Sequence, residues 1–161
     1  MKKLTLIRHG KSSWEYNVSD RDRPLLERGI KDAYLVASAI EEHTLDAVFS
    51  SPANRALHTC SIFLRVFNIP SNQVRVYDEL YDFSGEQVLK FIHSLDNKLQ
   101  NVVIFGHNHA FTSLVNMLGS VTINNVPTAG LVKLKFDVLE WSSVTKGVTE
   151  KIMFPKNLKN E

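Results

Sequence analysis

Leu4-Thr5-Leu6-Ile7-Arg8-His9-Gly10 begins as a short, β-prone apolar run and stops abruptly at an arginine, a histidine and a glycine. A run of this length bounded by polar residues fits a buried strand. The pattern returns twice. Asp46-Ala47-Val48-Phe49 is followed by Ser50-Ser51-Pro52, and Asn101-Val102-Val103-Ile104-Phe105 by Gly106-His107-Asn108-His109. Helical patterns lie between them. Leu26 to Glu42 places Ile30, Ala33, Tyr34, Ala37 and Ile40 on one helical face. Ser51-Pro52 predicts an N-cap serine and a proline at the first helical position, opening a helix to about Phe67 that Pro70 closes. Ser84-Gly85-Glu86-Gln87 resembles a capping box, with Ser84 at the cap of a helix reaching about Leu95. A further apolar helix runs from the His109 region through Met117.

Weaker elements complete the pattern. Val74 to Val76 reads as a minor strand. Leu131 to Phe136 alternates apolar and basic residues like a half-exposed strand, and Val148 to Phe154 pairs with it or lies at an edge. Lys11 to Pro24 is polar and reads as a loop, and the polar tail from Lys156 to Glu161 is expected to be loose. Strands alternating with helices predict one α/β domain over residues 1–161, a three-layer arrangement with a mostly parallel central sheet flanked by helices.

In such sheets ligands bind beyond the carboxyl ends of the strands. If the three clear strands are parallel neighbours, Arg8-His9, Ser50-Ser51 and Gly106-His107 share one rim. A phosphoryl group spreads its charge over three oxygens, which suits the planar fork of arginine. Arg8 and Arg55 are the candidates, with Arg55 on the first turn of a helix whose free N–H groups also favour anions. A neutral histidine can attack phosphorus and form a covalent phosphoimidazole. A second, protonated histidine can donate to the equatorial oxygens, and the bound anion would raise its pKa. This scheme requires no metal and no cofactor.

Composition narrows the function classes. The chain has 161 residues, 43% of them hydrophobic and 22% charged, as an ordinary globule does. Its 19 Lys and Arg against 17 Asp and Glu leave a formal charge of +2, too even to predict nucleic-acid binding. The single cysteine, Cys60, cannot form an internal disulfide, and a reducing setting fits best. Met1-Lys2-Lys3 before an apolar run suggests a signal peptide, but the run ends at Arg8, too short for an h-region. No stretch approaches the roughly 20 apolar residues of a membrane span. The expected setting is cytoplasmic, with no membrane or nucleic-acid partner and no oligomeric state specified.

Leu6-Ile7-Arg8-His9-Gly10 resembles the Arg-His-Gly signature of the histidine phosphatase superfamily, which has the phosphoglycerate mutase-like fold. Ser50-Ser51-Pro52-Ala53-Asn54-Arg55-Ala56-Leu57-His58-Thr59 is similar to its second block, Ser-Pro-x-x-Arg-Ala-x-x-Thr, and Gly106-His107 to its last catalytic block. Arg8 to Trp14, followed by Ser19-Asp20-Arg21-Asp22-Arg23-Pro24-Leu25 and Glu27-Arg28-Gly29, resembles the short phosphohistidine phosphatase branch, the SixA type.

The resemblance implies that His9 is the phosphorylated nucleophile, that Arg8 and Arg55 bind the phosphoryl group, and that His107 completes the pocket. Larger members use a glutamate as general acid. Asp78-Glu79-Leu80 is the matching segment, which makes Glu79 the candidate and Asp78, Asp82 and Glu86 its alternatives. Gly10, Lys11 and Ser12 are expected beside the phosphate. Mutase-type relatives carry Asn after Trp where this chain has Glu15 after Trp14, so Glu15 is expected to point away. The mutase branch is longer and covers its site. An open pocket here would admit a phosphorylated side chain of another protein, and phosphohistidine is the preferred substrate. The alternatives are a phosphatase for a small phosphorylated metabolite and a phosphate- or phosphoprotein-binding module without turnover.

The remaining histidines carry simpler expectations. His107 and His109, two apart, could ligate a metal, but no Cys or HExxH companion accompanies them. His109 is expected to pack or hydrogen-bond. His58 suits a surface, and His43 and His93 suit helix C-termini. Cys60 is expected in the core and Lys133 and Lys135 on the wet face of a strand.

Overall fold

The computed structural model describes residues 1–41 and 44–159. Glu42 (the expected end of the first helix), His43 and the last two residues of the tail lie outside them. Among the described residues, α-helices alternate with strands as far as β5, which β6 follows directly: β1 (Lys2–Arg8), α1 (Glu27–Ala39), β2 (Ala47–Ser50), α2 (Asn54–Phe67), β3 (Val74–Val76), α3 (Glu86–His93), β4 (Asn101–Gly106), α4 (Ala110–Leu118), β5 (Leu131–Phe136), β6 (Val148–Met153) and α5 (Pro155–Leu158). One mixed sheet runs in the order β3-β2-β4-β1-β5-β6. The first four strands are mutually parallel, and β5 and β6 run antiparallel at the other edge.

Because side chains alternate across a strand, each central strand feeds two cores. Leu4, Leu6, Val102 and Ile104 pack with Val88, Ile92, Phe111 and Leu114 of α3 and α4. Ile7, Val103 and Phe105 pack with Ala33, Val36, Cys60 and Phe63 of α1 and α2. Helices therefore cover both faces, which explains why Leu4, Leu6 and Ile7 of β1 and Val102 to Phe105 of β4 are all buried. Burial pushes the Cys60 thiol up to about 12, so it is an inert core residue. Among the described residues no helix is long and apolar enough to cross a membrane.

Three local expectations are corrected. Helix α2 begins at Asn54, after Ala53 in extended conformation, so Ser51 and Pro52 precede the helix instead of capping it. The start of α3 is held mainly by Asp82, with Ser84 Oγ accepting only the Glu86 N–H at 3.3 Å. Asp82 Oδ2 accepts the N–H groups of Gly85, Gln87 and Val88, while Oδ1 accepts from the amide and hydroxyl of Ser84. Gly85 makes this possible: its φ of +99° folds the chain back so that a carboxylate three residues earlier reaches the first turn. The tail is not loose throughout. Pro155 presets the first turn of α5, and the following Lys159 pairs with Asp32 of α1 at 2.7 Å.

The strand ends meet in register. Arg8 lies opposite Gly106, and Ser50 opposite Phe105. The next residues continue the ladder: His9 N–H donates to the Gly106 carbonyl and Ser51 N–H to the Phe105 carbonyl. His9, Ser51 and His107 are therefore side by side at the carboxyl rim. The antiparallel β5 starts at this same rim, so the loop before it closes the site's far side. Ala129 N–H donates to the His9 carbonyl, and the Gly130 carbonyl accepts from Arg8 N–H.

Candidate active site

His9 is buried at the end of β1, and its Nδ1 lies 2.7 Å from the carbonyl of Gly10. A carbonyl can only accept, so Nδ1 carries the proton and Nε2 keeps the lone pair. Gly10 is held in turn: its N–H donates to Thr59 Oγ1 at 2.9 Å, and that hydroxyl donates to the Arg55 carbonyl. The loop after β1 is thus pinned to the first turns of α2. Gly10 also presses against Gly29 of α1, where a Cβ on either would collide with backbone, at 2.7 Å from the Gly29 carbonyl oxygen or 2.2 Å from that of Lys11.

Arg55 occupies the first turn of α2 and is only 1% exposed. Its Nη1 donates to the Asp20 carbonyl at 2.6 Å and its Nη2 to the Asp20 carboxylate at 3.0 Å. Arg8 reaches the loop before β5, where Nη1 donates to the Val126 carbonyl at 2.9 Å. His107 is 1% exposed, with Nε2 2.8 Å from Ser51 Oγ and its ring centroid 5.3 Å from that of His9. Among the described residues, Arg8 Nε, Arg55 Nε and His107 Nδ1 are buried and have no protein hydrogen-bond partner. Buried polar atoms are normally paired, and unpaired ones clustered around His9 make room for a polar ligand.

The charges agree. Burial, aided by His107, Arg55 and Arg8, pushes the His9 imidazole down to about 3 against the Gly10 hydrogen bond that favours its charged form. Burial and then Arg55 push His107 down to about 3 as well, with Asp20 opposing. Both rings are neutral, as a nucleophile must be. Burial and then Arg55 also lower the pKa of Arg8. Buried Arg55 and half-buried Arg8, with Asp20 pairing only Arg55, form a positive field that an oxyanion would relieve.

A model of the histidine phosphatase superfamily (branch 1) matches residues 4–86. The chain belongs to the histidine phosphatase superfamily. The protein histidine phosphatase SixA complexed with tungstate is 26% identical, with a TM-score of 0.82 over 98% of this chain and 99% of that one. Rv1276c, an uncharacterised protein of Mycobacterium tuberculosis, is 27% identical over 132 residues, which cover 81% of this chain and 80% of the relative. The mycobacterial glucosyl-3-phosphoglycerate phosphatase Rv2419c is 15% identical and has a TM-score of 0.66 over 92% and 97% of the two chains, a likeness of fold alone.

The superfamily's expected pocket residues separate into two groups. Arg8, His9, Arg55 and His107 converge, as their place at adjacent strand ends and the first turn of α2 requires. Glu79 does not join them. It is exposed on the single 3-10 turn Asp78–Leu80 and lines a different groove, with Arg75, Tyr77, Gln87 and Lys90. Of its alternatives, Asp78 approaches Arg21 at 3.9 Å, Asp82 holds α3, and Glu86 is exposed on the first turn of that helix. Ser12 accepts from Arg23 Nη1 at 2.7 Å, Gly10 N–H is engaged by Thr59, and Lys11 is half-buried beside them. Glu15 is exposed.

His109 is exposed at the N-cap of α4, His58 is exposed on α2, and His93 contacts the Val144 carbonyl at 2.9 Å. Among the described residues no three His, Cys, Asp or Glu side chains gather into a group that could hold a metal.

Sequence reasoning missed the supporting residues. Asp20 bridges Arg55 and Arg23 and accepts from the Tyr81 hydroxyl at 2.5 Å. Burial would raise the Asp20 carboxyl, yet Tyr81, Arg55 and Arg23 outweigh it and hold it at about 2. Ser51 and Thr59 sit inside the Ser-Pro-x-x-Arg-Ala-x-x-Thr block, so their positions were visible there although their contacts were not. Tyr81 carries no motif signal at all.

Proposed function

We propose that the protein hydrolyses a phosphoryl group from protein phosphohistidine through a covalent phospho-His9 intermediate, without a metal ion. The observation that carries this reading is the cluster of unpaired buried nitrogens, Arg8 Nε, Arg55 Nε and His107 Nδ1, around a histidine whose Nδ1 is already committed. In the first step His9 Nε2 forms a bond to phosphorus as the bond to the leaving nitrogen breaks. The substrate imidazole, protonated on its other ring nitrogen, departs as neutral imidazole. Water then attacks phospho-His9, and inorganic phosphate and free His9 result. The arginines neutralise charge on the equatorial oxygens throughout.

Phosphohistidine suits this pocket because Asp20, the carboxylate attached to it among the described residues, cannot donate a proton. Asp20 stays ionised under Arg55 and Tyr81. An alkoxide leaving group needs a proton at the moment of departure; a protonated imidazole does not. The likeness to a protein histidine phosphatase over almost the full length of both chains supports the same substrate class.

The test is hydrolysis of a phosphohistidine protein and of a generic aryl phosphate, in EDTA, by wild type and His9→Ala. Turnover that survives the chelator and falls by several orders of magnitude in the variant supports the reading. Preference for a small phosphorylated metabolite over the phosphoprotein would move the substrate assignment. Phosphate binding with no turnover of either compound would identify a binding module instead.

A further inference from the structure

Asp82 turns inward to hold the first amides of α3. Its neighbours Tyr81 and Phe83 instead turn toward the active site. Both reach His107. The Phe83 and His107 ring centroids are 5.0 Å apart, those of Tyr81 and His107 5.4 Å, and those of Tyr81 and Phe83 5.3 Å. The three rings form a wall that rises from a fully buried imidazole to a surface phenyl, since Phe83 is 46% exposed. The Tyr81 hydroxyl is tied to Asp20, which holds Arg55, so the wall borders the phosphoryl cradle and is anchored to it.

An isolated exposed phenylalanine needs no explanation. This one leans on a site histidine at the edge of the pocket. A phosphoryl group bound between Arg8, Arg55 and His9 must project its leaving group away from the attacking Nε2, outward toward the mouth. A planar ring there gains contact area and offset or edge-on stacking with Phe83; a hydroxyl-rich or charged leaving group gains little. We infer that Phe83, supported by Tyr81, forms a leaving-group subsite that selects a planar ring, the imidazole of phosphohistidine. This rests on the phosphatase reading above and extends it to the residue that sets specificity.

The test compares two donors with the same P–N bond, free phosphohistidine and inorganic phosphoramidate, which has no ring. The quantity read is the ratio of their kcat/KM values. In Phe83→Ala the ratio falls about tenfold, the scale expected for a lost aromatic pair, and Phe83→Trp restores it. An unchanged ratio in Phe83→Ala, or equal losses on both donors, would overturn the subsite and leave the phosphatase reading standing, with Phe83 a prop for His107. Wild type that turns over neither donor would remove both readings.

Discussion

Arg55 grips Asp20 twice, through the backbone carbonyl at 2.6 Å and the carboxylate at 3.0 Å. Two of its three guanidinium nitrogens are therefore committed to orientation, and only Nε stays unpaired. Asp20 acts on the site through Arg55 and is a positioning residue. Asp20→Ala is expected to lower kcat/KM by about 10- to 100-fold, since a displacement of about 1 Å at a transferring group costs that much. Asp20→Asn keeps an acceptor oxygen and should lose less. Steady-state kinetics on both variants check this order, and equal losses would remove the orienting role.

Ser51 governs the ring of His107. Its hydroxyl oxygen accepts the Ala53 N–H at 3.2 Å, and its own proton can be given to His107 Nε2 at 2.8 Å. That choice places the imidazole proton on Nδ1, the nitrogen without a protein partner. Ser51→Ala should therefore reduce kcat about tenfold with little change in the folded structure, as loss of a ring-orienting partner does. Imidazole ¹⁵N shifts of His107 report the tautomer directly. An unaltered tautomer in the variant would contradict the assignment.

The pH dependence of stability follows from the two neutral rings. His9 and His107 have folded pKa values near 3 against an ordinary value of 6.5, so between these limits the unfolded chain binds more protons than the folded one. Their burial is fully compatible with folding above pH 6.5, costs stability as pH falls below it, and costs no more once pH passes about 3. Asp20, held at about 2 against 3.8, adds a further loss lower in the same direction. Thermal unfolding should show a falling Tm from pH 6.5 to 4, and His9→Gln and His107→Gln should flatten it. Inorganic phosphate should raise the His107 titration, since an anion in the cradle reverses the sign of the field.

Gly29 is the tightest backbone approach in the site's support. A Cβ there would lie 2.2 Å from the Lys11 carbonyl oxygen, so α1 and the loop after β1 must separate to accommodate it. Gly29→Ala should destabilise the fold by about 1–3 kcal/mol, the usual range for overpacking, even though alanine favours helices. Chemical denaturation measures the loss. A stabilised variant would show that the loop yields without strain.

Much of the architecture was legible because burial writes itself into periodicity. β1, β2 and β4 were visible as apolar runs, α1 and α4 as helical stripes, and β5 as an alternation. The starts of α2 and α3 were misplaced for a common reason. Ser51 and Ser84 are both good N-cap residues by local propensity, but a capping side chain is chosen by which oxygen the folded backbone brings to the free amides. His107 claimed Ser51, and the turn at Gly85 brought Asp82 to α3 ahead of Ser84.

The sequence by itself determined the family, the layered α/β form, and the four residues Arg8, His9, Arg55 and His107. Each of these follows a strand end or opens a helix, and such positions are set by local chemistry and order along the chain. Only the tertiary structure decided what surrounds them. It placed Asp20 on Arg55, Ser51 on His107, Tyr81 and Phe83 against the same imidazole, and Glu79 in another groove. Those relationships join residues far apart in the chain. They depend on the register of β1 against β4 and on the reach of individual side chains, for which linear spacing carries no signal.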